Sequence, residues 1–202
     1  MLKVGLTGSI AVGKSYVLNI LKELGCHAID ADQIAREVVM PGTAGLRLVV
    51  ENFGAGVLDD DDNLDRQELA ALIFADEEKR QRLNSILHPL IISAQDVRVR
   101  KLEHDDPNGI VIIDAALMIE SGGYRRMDKL IVVHCRPEIQ QQRLKERDGL
   151  STDEAKKRIA AQMPQEEKKK FADYLIDTSG SFADVRAQVL EVHAKLARQT
   201  RS

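Results

Sequence analysis

Gly8-Ser9-Ile10-Ala11-Val12-Gly13-Lys14-Ser15 has the spacing GxxxxGKS, and its neighbours decide how it is read. Before it, Leu2-Lys3-Val4-Gly5-Leu6-Thr7 is short and apolar enough for a buried strand. After it, Tyr16 to Leu24 has apolar residues at helical spacing, and Gly25 can end that helix. A glycine-rich turn between strand and helix directs backbone N–H groups around phosphate oxygens, and the helix N-terminus adds partial positive charge. In such a loop Lys14 reaches the β- and γ-phosphates while the Ser15 hydroxyl ligates Mg²⁺. The stretch predicts a nucleoside triphosphate site, with Gly8, Ala11, Val12, Gly13, Lys14, Ser15 and Tyr16 against the nucleotide.

Composition narrows the partners. The chain has 202 residues, enough for one large domain or a core with insertions. Lys and Arg number 29 against 32 Asp and Glu, a net charge of −3 that provides no footprint for nucleic acid or an anionic membrane. Aromatic residues are only 3%, with no Trp, so base-stacking platforms are not expected. No apolar run approaches a membrane span, and the first strand begins at once, leaving no room for a signal peptide. Cys26 and Cys135 lie far apart in apolar stretches without CxxC spacing, which reads as reduced core cysteines. The five histidines show no metal-ligand spacing. A cytoplasmic, soluble protein is expected.

Further strands are predicted at Cys26–Asp30, Gly109–Asp114, Lys129–Cys135 and Tyr174–Asp177. Helices are predicted from Asp32 to Val39, Leu46 to Phe53, Asp65 to Phe74 and Glu77 to Glu103, with Pro89 starting or kinking the last. Others follow from Pro137, after Ser151, and from Phe182 to Leu196. Asp59-Asp60-Asp61-Asp62 reads as a solvated loop, since adjacent carboxylates rarely converge on a metal unaided. Alternating strands and helices predict an α/β fold with a parallel sheet covered on both faces, and a helical middle segment as a lobe.

Four features bear on chemistry. Asp30-Ala31-Asp32 ends the second strand at the edge where open α/β sheets bind ligands. There Asp32 either orients an acceptor hydroxyl and takes its proton, or caps the next helix. Asp114 closes an apolar strand, which suits a Mg²⁺-holding carboxylate but also a turn preference, and Glu120 is a second carboxylate nearby. Arg143 and Arg147 stand four apart on one helix face, as a lid over the γ-phosphate or as a solvated surface, with Gly149 as a hinge. Finally, no Asn/Thr-Lys-x-Asp motif is present to read guanine. Glu166-Glu167-Lys168-Lys169-Lys170 reads as a solvated helix with Glu–Lys pairs.

Together these segments resemble the dephospho-coenzyme A kinase family, from Lys3 to about Ala197. The resemblance rests on Gly5-Leu6-Thr7-Gly8, Asp30-Ala31-Asp32-Gln33-Ile34-Ala35-Arg36, Leu64-Asp65-Arg66 with Leu69 and Phe74, and His88-Pro89. It continues through Arg143, Arg147-Asp148-Gly149-Leu150-Ser151, Arg158 to Pro164, and Ala172 to Asp177. It implies one kinase domain over 3–200: a P-loop core with a five-stranded parallel sheet (about 1–35, 105–136 and 172–200), a helical substrate lobe (about 36–104) and a helical lid (about 137–171). ATP would phosphorylate the ribose 3′-hydroxyl of dephospho-coenzyme A. The resemblance makes Asp32 the acceptor-activating carboxylate, Lys14 and Arg143 catalytic, and Arg147, Ser179 and Gly180 nucleotide contacts. It puts Arg36, Arg66 and His88 on the substrate side and Ser15 with Asp114 at Mg²⁺. Three departures stand out: Ser9 and Ala11 in place of glycines, Ala115 to Glu120 in place of Pro-Leu-Leu-Phe-Glu, and Thr178 in place of an asparagine. The loop substitutions predict altered stiffness, not loss of binding.

Overall fold

Strands β1 (Leu2–Thr7), β2 (His27–Asp30), β3 (Ile110–Asp114), β4 (Lys129–His134) and β5 (Tyr174–Asp177) form one parallel sheet in the order β2-β3-β1-β4-β5. They belong to a computed structural model that describes residues 1–74 and 76–200. The helices are α1 (Lys14–Glu23), α2 (Ala31–Glu37), α3 (Ala44–Phe53), α4 (Arg66–Phe74), α5 (Glu77–Asp105), α6 (Pro137–Asp148), α7 (Thr152–Ala160), α8 (Gln165–Lys169) and α9 (Phe182–Gln199).

Two units emerge. The first comprises Met1–Asp30 and Leu102–Ser202, the second Ala31–Lys101. In the first, every residue of β3 is buried, as a central parallel strand covered on both faces requires. Val4, Leu6, Ile112, Ile131, Val133 and Ile176 of the sheet meet Val17, Ile20 and Leu21 of α1 and Val185, Val189, Val192 and Leu196 of α9. The apolar spacing of those helices puts these residues on one stripe each. Ser151 and Ser181 open α7 and α9 with capping boxes, and Gly149, at φ 67°, ends α6.

The second unit has its own core of Val39, Val49, Val57, Leu69 and Leu83. Its acidic stretch is an exposed turn in which Asp59 Oδ1 accepts from the N–H groups of Asp61 and Asn63. Pro89 does not break the chain here: α5 runs through it as one helix. The proline is exposed, so the Ser85 carbonyl that loses its donor is left on the solvent side, where water replaces the missing bond. Short 3₁₀ turns at Ala55–Val57 and Gly123–Arg126 were not legible as helix, being too short to show a period.

Gly8 sits where β1 passes β4. A Cβ there would lie 2.6 Å from the Val133 carbonyl oxygen and 2.8 Å from Val12 Cγ2. The carbonyl belongs to the sheet and cannot retreat. Gly8→Ala is expected to cost roughly 1–3 kcal/mol in urea unfolding, as overpacking does. Gly56→Ala, where a Cβ meets nothing within 4 Å, is the control that should leave the midpoint unmoved.

Candidate functional site

The loop from Gly8 to Gly13 leaves the central strand β1 and enters α1, whose N-cap is Gly13 at φ 85°. Ala11 also has positive φ, at 60°. These two left-handed residues turn successive peptide groups so that some face inward and some outward. Those of Ile10 and Val12 are bonded. Ile10 N–H donates to Gln162 Oε1 (2.7 Å), the Ile10 carbonyl accepts from Gln140 Nε2 (2.8 Å), and the Val12 carbonyl accepts from Thr178 Oγ1 (2.6 Å). Ser9 Oγ donates to the Met163 carbonyl at 3.4 Å, and Val12 N–H to the Ser9 carbonyl at 3.4 Å. The N–H groups of Ala11, Gly13, Lys14 and Ser15 make no hydrogen bond among the described residues. Four free donors at a helix N-terminus form a cradle for an anion. Tyr16 differs from its neighbours: its N–H is bonded to the Gly13 carbonyl, and its hydroxyl donates to the Phe182 carbonyl.

Lys14 and Asp114 form an ion pair beside this cradle. Asp114 ends β3, is 9% exposed, and lies in register with Leu6 of β1 and Asp30 of β2. Ser15 is exposed, with its hydroxyl uncommitted among the described residues. Serine hydroxyl and carboxylate are hard oxygen donors. No cluster of three or more His, Cys, Asp or Glu occurs among the described residues, so no all-protein cage competes. That donor set suits Mg²⁺, which keeps waters and takes substrate phosphates as its other ligands.

Arg143 reaches the loop from α6. Its Nη1 donates to Thr178 Oγ1 (3.0 Å) and its Nη2 to the Thr178 carbonyl (2.9 Å), and both Thr178 and Nη1 border Gly13. Thr178 is thus a pin between Arg143 and the loop, a role the sequence did not reveal. Arg147, expected beside Arg143, turns to its neighbour Asp148, which also receives Arg158 at 2.8 Å. Ser179 Oγ accepts from Arg136 N–H, and Gly180 follows it in the same β5–α9 connection.

Two readings need correction. Lys168 is 0% exposed, not solvated: its Nζ donates to the Ala116 carbonyl (2.8 Å) and to Glu120 (2.9 Å). Its neighbours do behave as expected, Lys169 pairing with Glu166 and Lys170 with Glu167. Glu120, read as a second carboxylate for the phosphate site, is instead the counter-ion of Lys168 and accepts from Met163 N–H. A five-residue helix puts one lysine inward whatever the surface pattern of the others.

In the other unit, Asp32 lies in the first turn of α2 and is exposed. Its side chain accepts no hydrogen bond among the described residues, so it does not cap the helix. Arg36 lies in the last turn of α2, Arg66 opens α4, and His88 precedes Pro89 in α5; none of these side chains is committed to a hydrogen bond or ion pair among the described residues.

At the carboxyl edge of β4, burial pushes the His134 imidazole below its usual range, and Lys169 adds to this. The fold therefore prefers neutral His134, and the unfolded chain binds more protons. Stability is complete above about pH 6.5 and declines as pH falls below it. His134→Gln should flatten that part of a urea-midpoint profile between pH 7 and 5. Glu120→Ala leaves a buried ammonium uncompensated and should cost roughly 3 kcal/mol in the same assay. Adding Lys168→Met should recover much of it.

The Dephospho-CoA kinase family model matches residues 2–184. A Geobacter sulfurreducens dephospho-CoA kinase is 44% identical over 192 residues, covering 95% of this chain and 97% of its own. A Danio rerio protein containing a dephospho-CoA kinase domain is 46% identical, covering 97% and 86%. Among solved structures, Thermus thermophilus TT1252 superposes with TM-score 0.81 at 31% identity, covering 96% and 97%. The Campylobacter jejuni dephospho-CoA kinase gives 0.71 at 30%, covering 98% of each chain. A Bacteroides thetaiotaomicron shikimate kinase, at 16% identity and TM-score 0.51 over 96% and 98%, shares the fold alone. With a P-loop at the centre of its sheet and relatives matching it almost end to end, this chain belongs to the dephospho-CoA kinase family.

Proposed function

We propose that the protein transfers the γ-phosphate of ATP to the ribose 3′-hydroxyl of dephospho-coenzyme A, giving coenzyme A and ADP in the last step of coenzyme A synthesis. The observation that supports this most is the cradle of four open N–H groups with Lys14 and Ser15 at its rim. Its donors match the β-phosphate end of ATP, where a helix N-terminus is worth most. Lys14, held on Asp114 without nucleotide, exchanges that carboxylate for phosphate oxygens when ATP enters. Ser15 and Asp114 would hold Mg²⁺, which would supply neutralisation of phosphate charge.

Phosphoryl transfer has a loose transition state, so the protein's work is positioning and charge stabilisation. Arg143 supplies positive charge to the transferring group, with Arg147 on the same helix as a second nucleotide contact. Ser179 and Gly180 line the nucleoside side. Asp32 aligns the acceptor hydroxyl and receives its proton; its freedom from any cap or ion pair supports that role. Arg36, Arg66 and His88 receive the acceptor's anionic groups. In this reading the 36–104 stretch is the acceptor lobe, 137–171 is the lid with Gly149 as hinge, and the two work with the core as one kinase domain. No described helix is long and apolar enough to cross a membrane. Cytoplasmic work on a small-molecule acceptor, without an obligate protein partner, completes the proposal.

A coupled assay of ADP release over an acceptor panel tests it. Dephospho-coenzyme A should be turned over far faster than AMP, adenosine or shikimate, and a preference for any of these would replace the acceptor named here. Asp32→Asn should keep ATP affinity and lose turnover by on the order of 10² or more, the usual scale of acid–base assistance. Near-normal turnover would reduce Asp32 to a surface residue. Lys14→Ala should weaken both binding and rate.

A further inference from the structure

Three glutamine side chains connect the lid segment to the phosphate loop in a chain of fixed polarity. Cys135 N–H donates to Gln165 Oε1 (2.9 Å), and Gln165 Nε2 donates to Gln140 Oε1 (2.7 Å). Gln140 Nε2 then donates to the Ile10 carbonyl (2.8 Å), and Ile10 N–H donates to Gln162 Oε1 (2.7 Å). The backbone groups at its ends dictate which way each amide faces, because Cys135 can only give a proton and the Ile10 carbonyl can only accept one. Gln140 is 2% exposed, so this is an interior network with few alternatives. Ile10, the residue held from both sides, directly precedes Ala11, which has the left-handed backbone that a Cβ disfavours.

We propose that Gln162 and Gln140 are positioning residues for ATP: by fixing both peptide groups of Ile10 they hold Ala11 in its left-handed turn and keep the four amides aimed at the phosphates. Gln165 orients Gln140. The buried Lys168–Glu120 pair, through Met163 N–H, anchors the segment that presents Gln162. The lid segment therefore builds the floor of the phosphate site as well as reaching over it. This inference rests on the reading of the loop as ATP's phosphate site.

The test compares variants by calorimetric ATP and ADP affinity, acceptor KM and urea midpoint. Gln162→Leu should raise the Kd of ATP and ADP alike by about tenfold, the scale of one lost hydrogen bond that also releases a strained turn. Acceptor KM should not move. Ala11→Gly takes the left-handed turn without a Cβ clash, so the turn then depends less on the bonds at Ile10. In the Gln162→Leu background this substitution should recover at least about threefold. ATP and ADP affinities within twofold of wild type in Gln162→Leu overturn the inference, as does a loss that Ala11→Gly does not reduce. If Gln162→Leu does not fold, Gln162→Glu and Gln140→Glu decide: the first keeps an acceptor for Ile10 N–H, the second sets an acceptor against the Ile10 carbonyl. The first must bind ADP at least about tenfold more tightly than the second, each carrying the same added charge; equal affinities overturn it. Failure of the wild type to bind ATP would instead refute the nucleotide site itself.

Discussion

Polar backbone groups in a folded chain need partners, and the phosphate loop is built around withholding partners from four of them. Unpaired N–H groups cost stability wherever water cannot reach them. Here they are collected at one helix N-terminus, at the partly exposed end of α1, where water can cover them until an anion displaces it. Both peptide groups of Ile10, and the N–H and carbonyl of Val12, are bonded. That separation, four donors open while Ile10 and Val12 are tethered, is what converts an ordinary strand–helix connection into a phosphate receptor.

The sheet makes the separation possible. Because β1 is central, with β3 on one side and β4 on the other, its carboxyl end is flanked by what those strands deliver. From β3 comes Asp114, which holds Lys14. From β4 and β5 come His134 and Thr178, and the Thr178 N–H donates to the His134 carbonyl at 2.9 Å, tying the two connections together. The side chain of Thr178 then passes that rigidity to Val12 and Arg143. Two hydrogen bonds from its guanidinium to Thr178 fix the position of Arg143 beside the loop.

What the sequence disclosed and what it hid follow from range. The loop, its strand and its helix are contiguous, so spacing alone exposed them; β1 and β5 begin and end where their apolar runs do. The other strands were overrun by a residue at one end, where Cys26, Gly109 and Cys135 share the apolar character but not the ladder. The partners of the loop are a different matter. Gln162, Gln140 and Thr178 lie 152, 130 and 166 residues from the backbone groups they bind, and a glutamine or threonine on a helix or turn has no local mark of such an attachment. Lys168 was misread for a related reason. Two of the three lysines in its run do pair along the helix surface, so the pattern was right on average and wrong at the one position that faces inward. Asp32 stayed ambiguous until the helix start at Ala31 put it past the cap position.

The two substitutions that set this loop apart from the glycine-rich pattern it resembles act in opposite directions. At position 9 a serine gives a hydroxyl to the Met163 carbonyl, a tether that glycine could not make. At position 11 an alanine takes φ 60°, which glycine would adopt without penalty and which for a residue with a Cβ costs about 1–2 kcal/mol. The same Cβ narrows the choices of the unfolded loop, returning a few tenths to 1 kcal/mol. The balance therefore falls on the bonds at Ile10, between the two: with them intact, a stiffer loop keeps its amides aligned. A glycine at 11 would hold the same shape with less need of support. Loop stiffness in this chain is thus transferred from backbone freedom to the side chains of Gln140 and Gln162, which tie the phosphate loop to the stretch that follows β4.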